Sequence, residues 1–139
     1  MATFNPQVIR DSFELAKPIG DQVINKFYET LWETYPDSKP LFQNTNMDRQ
    51  KQNLLGSLNF IVENLENPGA LTEYLKKLGA RHIRYGVKTE HYAWVGDSLL
   101  KTFAHFFGDK WTPELQEQWT NAYGAVVDLM FAGTMEQAA

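Results

Sequence analysis

Six stretches of this chain repeat apolar residues at steps of three and four, and proline- or glycine-bearing corners separate them, which confines the fold to packed helices. Asn5-Pro6 reads as a cap followed by proline at the first helical position, and Val8, Ile9, Phe13 and Ala16 then share one face until Pro18. From about Ile19 to Thr34 a second helix carries Val23, Ile24, Phe27, Tyr28, Leu31 and Trp32 before Tyr35-Pro36 ends it. Asp37 to Phe42 is too short and too proline-interrupted for a long helix, and reads as one tight turn that delivers Phe42 ahead of a polar loop, Gln43 to Met47. A third helix, from roughly Asp48 to Leu65, lines up Gln50, Leu54, Leu58, Ile61 and Leu65, with Asn67-Pro68-Gly69 as its stop. The fourth, Leu71 to Arg84, stacks Leu71, Leu75, Leu78 and His82 on one stripe. Tyr85-Gly86-Val87-Lys88 makes a turn, Thr89 reads as the next cap, and a fifth helix runs to Phe107. Gly108-Asp109-Lys110-Trp111 breaks it, and Thr112-Pro113-Glu114 opens the last helix, Pro113 to about Phe131. No run alternates in the manner of a strand. The expectation is an all-α fold of six long helices plus a short turn helix, in a single domain over residues 1–139.

Composition excludes several classes of function. With 43% hydrophobic and 14% aromatic residues the chain can bury a sizeable core rich in rings. Thirteen basic against 17 acidic residues leave a formal charge of −4, and no run of Lys or Arg could follow a phosphate backbone, so nucleic acid is not an expected partner. No apolar run reaches the roughly 18 residues of a membrane span, and Met1 to Asp11 lacks the basic and apolar regions of an export signal, so a cytoplasmic protein is expected. Cysteine is absent, which removes disulfides, iron–sulfur clusters and thiolate chemistry and leaves His, carboxylate or Tyr for any metal.

His82 is the residue that asks for a function. An imidazole aimed with three leucines into an apolar space is either a core histidine with a hydrogen-bond partner or a metal ligand, because leaving it unpaired costs about 1 to 3 kcal/mol. Gln50 lies on the inward stripe of the third helix and His82 on that of the fourth, with one Pro-Gly corner between them. Two helices joined in this way can face each other across a flat cofactor. The irregular corners also argue against an up-and-down bundle with short, similar connections.

At Lys26-Phe27-Tyr28, Pro40-Leu41-Phe42, Ala80 to Val87, His91 to Gly96 and Trp119 to Gly124, in that order, the chain resembles the globin family, in particular bacterial single-domain globins related to the globin domain of flavohaemoglobins. Leu55 to Leu65 is also similar to the distal helix of cytoglobins. The resemblance covers essentially the whole chain. It implies one b-type haem, with His82 as the proximal iron ligand and Phe42 wedged against the porphyrin. It implies Tyr28, Gln50 and Leu54 as the distal pocket, and Arg81, Val87, Tyr92 and Val95 as further cofactor contacts. Gln50 and Leu54 are four apart and share a face, whereas Gln52 lies about 200° around the helix from Gln50 and Gln43 sits in the loop. Tyr28 has the alternative of a core ring bonded to a backbone carbonyl. His91 is read as an exposed first-turn residue with a haem propionate as its alternative, and His105 as structural. Arg81 and Arg84 either pair with propionates or are solvated.

Flavohaemoglobins complete the proximal side with a glutamate in the last helix; the matching position here is Thr134, and Glu136 is two residues off, about 200° away on a helix. A carboxylate bonded to the proximal imidazole favours oxidative chemistry, so its absence favours ligand binding. The resemblance therefore implies reversible binding of O2, with CO and NO as further ligands. A nitric oxide dioxygenase fed by a separate flavin reductase is the first alternative, since no flavin or nicotinamide domain is read in these residues. A gas or redox sensor is the second.

Overall fold

The computed structural model describes residues 4–84 and 88–138, the side chains of 83, 84 and 133–138 excepted. The chain forms α1 (Pro6–Ala16), α2 (Gly20–Thr34), α3 (Met47–Glu63), α4 (Pro68–Arg84), α5 (Thr89–Phe107) and α6 (Pro113–Ala138). Three 3-10 turns, Lys17–Ile19, Pro36–Phe42 and Gly108–Lys110, occupy corners between them. No strand occurs among the described residues. None of the described helices is long and apolar enough to cross a membrane.

Local chemistry accounts for most of the boundaries. Asn5 accepts from the Gln7 N–H at 2.9 Å and Thr112 Oγ1 from the Leu115 N–H at 3.1 Å, which caps α1 and α6 as their sequences imply. Two corners differ from the sequence reading. Pro68 is the first residue of α4 rather than part of a stop: its missing N–H is one that no helix bonds at that position, and Asn67 O receives the Leu71 N–H at 3.0 Å. At the start of α5 the capping residue is Lys88, not Thr89, and the His91 ring accepts the Lys88 N–H at 3.0 Å. α6 also continues past Phe131 to Ala138.

The hydrophobic interior is divided. One cluster joins α1, α2, α5 and the start of α6 through Ile9, Phe13, Ile24, Phe27, Leu99, Phe103 and Trp119. A smaller one joins α4 to the far part of α6 through Leu71, Leu75 and Met130. Gly79 lets α4 lie directly on the α6 backbone at Met130, where a Cβ would collide with the carbonyl. α3 bridges the two clusters with an incompletely covered face. Val62 is its one buried residue, and Gln50, Leu54, Leu58, Ile61 and Leu65, the stripe expected to face inward, are all half-buried.

Candidate functional site

α3 and α4 touch where Tyr74 lies against Phe60, with ring centroids 4.3 Å apart, and where Tyr74 shares a 2.7 Å hydrogen bond with Ser57. Beyond this contact the two helices make few close approaches among the described residues. The separation is where the sequence places Gln50 on one side and His82 on the other.

The α4 side is built on His82. Its Nδ1 lies 2.7 Å from the carbonyl of Leu78, one turn earlier. A carbonyl can only accept, so the proton resides on Nδ1 and the lone pair of the neutral ring on Nε2. Burial pushes the imidazole pKa down, opposed by the bond to Leu78 and aided by the Arg81 charge, which favours the neutral ring a metal requires. Tyr92 stacks beside the ring with centroids 6.1 Å apart at 28°, and is backed edge-on by Phe131 at 4.9 Å. Leu78 and Tyr92 pack on the smaller cluster.

The opposite side belongs to the larger cluster. Tyr28 is 2% exposed, and its hydroxyl accepts from Gln50 Nε2 at 3.2 Å, across the α2–α3 contact. Burial raises the Tyr28 pKa, outweighing the bond from Gln50, so the phenol stays protonated and able to donate. Phe42 stands edge-on to Tyr28, centroids 5.5 Å apart. Phe42, Leu54 and Val95 are half-buried against the same cluster. The alternative of a Tyr28 hydroxyl bonded to a backbone carbonyl is not what the structure shows: its partner is the glutamine side chain.

The remaining sequence candidates separate by position. Arg81 is exposed beside His82. Val87 lies outside the described residues, as do the side chains of Arg84, Thr134 and Glu136. His91 accepts from the Lys88 N–H and packs on Trp94 at 4.9 Å. His105, read as structural, is exposed on α5 with its ring edge-on to Phe106, because the apolar face there passes through Phe103 and Phe107 instead. Gln43 and Gln52 are exposed, unlike Gln50.

Two residues of the site were not singled out from the sequence. Trp32, four residues after Tyr28, packs on Tyr28 at 5.5 Å and on Phe42 at 6.1 Å; its spacing on the Tyr28 face is the signal that could have found it. Tyr123 donates to the backbone carbonyl of Tyr92 at 2.6 Å and so fixes the start of α5 beside His82. Tyr123 has room only because residue 96 is glycine: a Cβ there would lie 2.6 Å from its ring.

Residues 25–130 match the sequence model of the globin family, which is most of the chain. The chain belongs to the globin family. Among its relatives, a flavohemoprotein of Rhizobium meliloti is 30% identical over 130 residues, and one of Bacillus subtilis is 27% identical over 124. These alignments take in 89% and 88% of the chain but only 32% and 31% of the relatives, so this globin spans about a third of their length. A bacterial globin from Campylobacter jejuni superposes with a TM-score of 0.81 at 25% identity, covering 96% of each chain. The irregular helix packing is thus that of bacterial globins, and family membership implies a haem cofactor. The residues fit such a group. A flat apolar ring with a metal at its centre is what a divided core, a half-covered α3 stripe, a histidine with its Nδ1 proton committed and a polar pair opposite would accommodate. Among the described residues no three His, Cys, Asp or Glu side chains are grouped to hold a metal.

Proposed function

We propose that residues 1–139 form one globin domain that carries a single b-type haem between α3 and α4 and binds O2 reversibly. The observation that carries this reading is the pairing of a histidine locked by its own helix with a Tyr–Gln donor pair on the other part of the divided core. These residues contain no cysteine, so the haem is held without thioether bonds. His82 Nε2 would hold the iron, Phe42, Leu54, Val87 and Val95 would exclude water from the faces of the ring, Tyr92 would back the histidine, and Arg81 would meet a propionate. When bound, ferrous haem supplies an iron coordination position for O2, CO or NO. Tyr28, kept protonated by burial, and the Gln50 amide donate hydrogen bonds to a ligand that gathers negative charge. The His82 Nδ1–H is bonded to the Leu78 carbonyl, which orients the ring. Thr134, at the position where flavohaemoglobins carry a glutamate, favours reversible binding over oxidative turnover.

Absorption spectra of the purified protein, ferric, ferrous and ferrous under CO, test the reading. The expected result is one histidine-ligated haem per chain with a reversible O2 spectrum. Absence of haem uptake would overturn it.

A second reading comes from the flavohemoprotein relatives: a nitric oxide dioxygenase. Each nitrate formed from NO and O2 consumes one electron, which a separate flavin reductase would supply. Sustained nitrate production when a reductase is added would place this reading first; a single stoichiometric round would retain O2 binding.

A further inference from the structure

Among the described residues two buried side-chain polar atoms have no hydrogen-bond partner, Trp32 Nε1 and Ser98 Oγ. A serine hydroxyl can turn toward a carbonyl of its own helix, whereas an indole N–H is fixed by the plane of its ring. Trp32 is therefore the more informative. Its ring lies against Tyr28 and Phe42, and the Lys39 ammonium stands 5.7 Å from its centroid. Tyr28 accepts from Gln50, and its own hydroxyl proton meets no acceptor among the described residues. Two donors on successive turns of α2 thus share one ring cluster, and the neighbouring Lys39 charge and Gln50 amide are donors as well. A buried donor without an acceptor is costly, and proteins keep such a group where a water or a ligand completes it. The Trp32 N–H and the Tyr28 O–H lack the same thing, a small acceptor.

We propose that Trp32 is a third donor of the ligand site and sets its specificity, giving its indole N–H to a diatomic ligand that gathers negative charge, as O2 does and CO does not. This rests on the haem reading. Trp32 would then sharpen the preference for O2 over CO, and Phe42, packed edge-on against both Tyr28 and the indole, would hold the ring in place.

The test compares the haem-loaded wild type with Trp32→Phe and with a protein carrying the benzothiophene analogue of tryptophan at position 32, which keeps the two-ring shape and lacks the N–H. Both replacements are expected to speed O2 dissociation about tenfold, as loss of one hydrogen bond to a charged acceptor implies, and CO dissociation by less than about twofold. In the wild type, the Trp32 indole 15N resonance should move between the O2 and CO forms. Those of Trp111 and Trp119, whose N–H groups are bonded to Gln116 and Ser12, should not. An unmoved Trp32 resonance with unchanged O2 release would make Trp32 a packing ring only. If Trp32→Phe fails to take up haem, the analogue and the wild-type resonance still decide. Tyr28→Phe separates the two levels of the argument. If it speeds O2 release while neither Trp32 replacement does, the inference falls alone; if it has no effect either, the distal reading has failed first.

Discussion

His82 commits its Nδ1 proton to the carbonyl of Leu78 at 2.7 Å, one turn back on α4. This bond within the helix sets which ring nitrogen can ligate a metal. The other histidines have no such arrangement: His91 is tied to the Lys88 N–H and His105 is exposed. His82→Ala should abolish stable haem binding, and His91→Ala and His105→Ala should leave it intact. Haem titration of the three variants checks this; a normal histidine-ligated spectrum from the His82 variant would remove the site.

Tyr28 and Gln50 meet at 3.2 Å on the other part of the core. A hydrogen bond to a charged acceptor contributes about 1.5 to 3 kcal/mol, so Tyr28→Phe should speed O2 release roughly 10- to 150-fold at about 1.4 kcal/mol per decade. Gln50→Leu should act in the same direction, less strongly, and CO release should change little in either. Stopped-flow ligand replacement measures both; insensitivity of O2 release to Tyr28→Phe would return Tyr28 to the core.

The divided interior predicts a large effect of cofactor on stability. A group that binds the folded state alone adds about 2.7 kcal/mol when its free concentration is 100 times its dissociation constant. Apo protein should melt well below the haem-loaded form, with exchange of amide hydrogens fastest in α4. Identical melting curves would mean that the two clusters already form one finished core.

Gly96 lies under the Tyr123 ring, and that ring is tethered by its hydroxyl to Tyr92 O at 2.6 Å. The tether prevents the ring from swinging away, so Gly96→Ala should destabilise the protein by about 1 to 3 kcal/mol, the usual range for overpacking. Tyr123→Leu in the same chain should recover part of that loss. Urea unfolding of the two variants and their combination is the measurement, and additivity of the two substitutions would argue against the contact.

Asp97 accepts from Tyr35 Oη at 2.8 Å and from Lys101 Nζ at 3.0 Å. Partial burial works to raise its pKa, but the bonds from Lys101 and Tyr35 prevail and hold it below the usual carboxylate value. Its contribution to stability is then present above the unfolded pKa and lost as pH falls through the folded one. Asp97→Asn should cost about 0.5 kcal/mol at neutral pH, as for a solvent-screened pair, and nothing once the wild-type carboxylate is protonated. A stability difference that persists unchanged in strong acid would exclude this ionic origin.

The helices were legible in the sequence because their signals are local: caps at Asn5 and Thr112 and the apolar face of α2 all lie within a turn or two of the residues they govern. The direction of His82 was legible too, since a residue four after Leu78 shares its stripe. The Asn67-Pro68 corner misled because proline ends one helix and begins another with equal ease, and which of the two it does depends on whether the residues after it can bury a helical face.

By itself the sequence determined that the chain would be six helices and that Gln50 and His82 would lie on inward stripes of adjacent ones. It could not determine that the interior divides into two clusters, that Tyr28 would spend its acceptor capacity on Gln50, or that Trp32 would bury an N–H beside them. Those are relations between residues on different helices or against a shared space, set by crossing angles and by close approaches such as Gly79 on Met130 and Gly96 under Tyr123. Periodicity tells a side chain which way to face; only packing decides what it meets there.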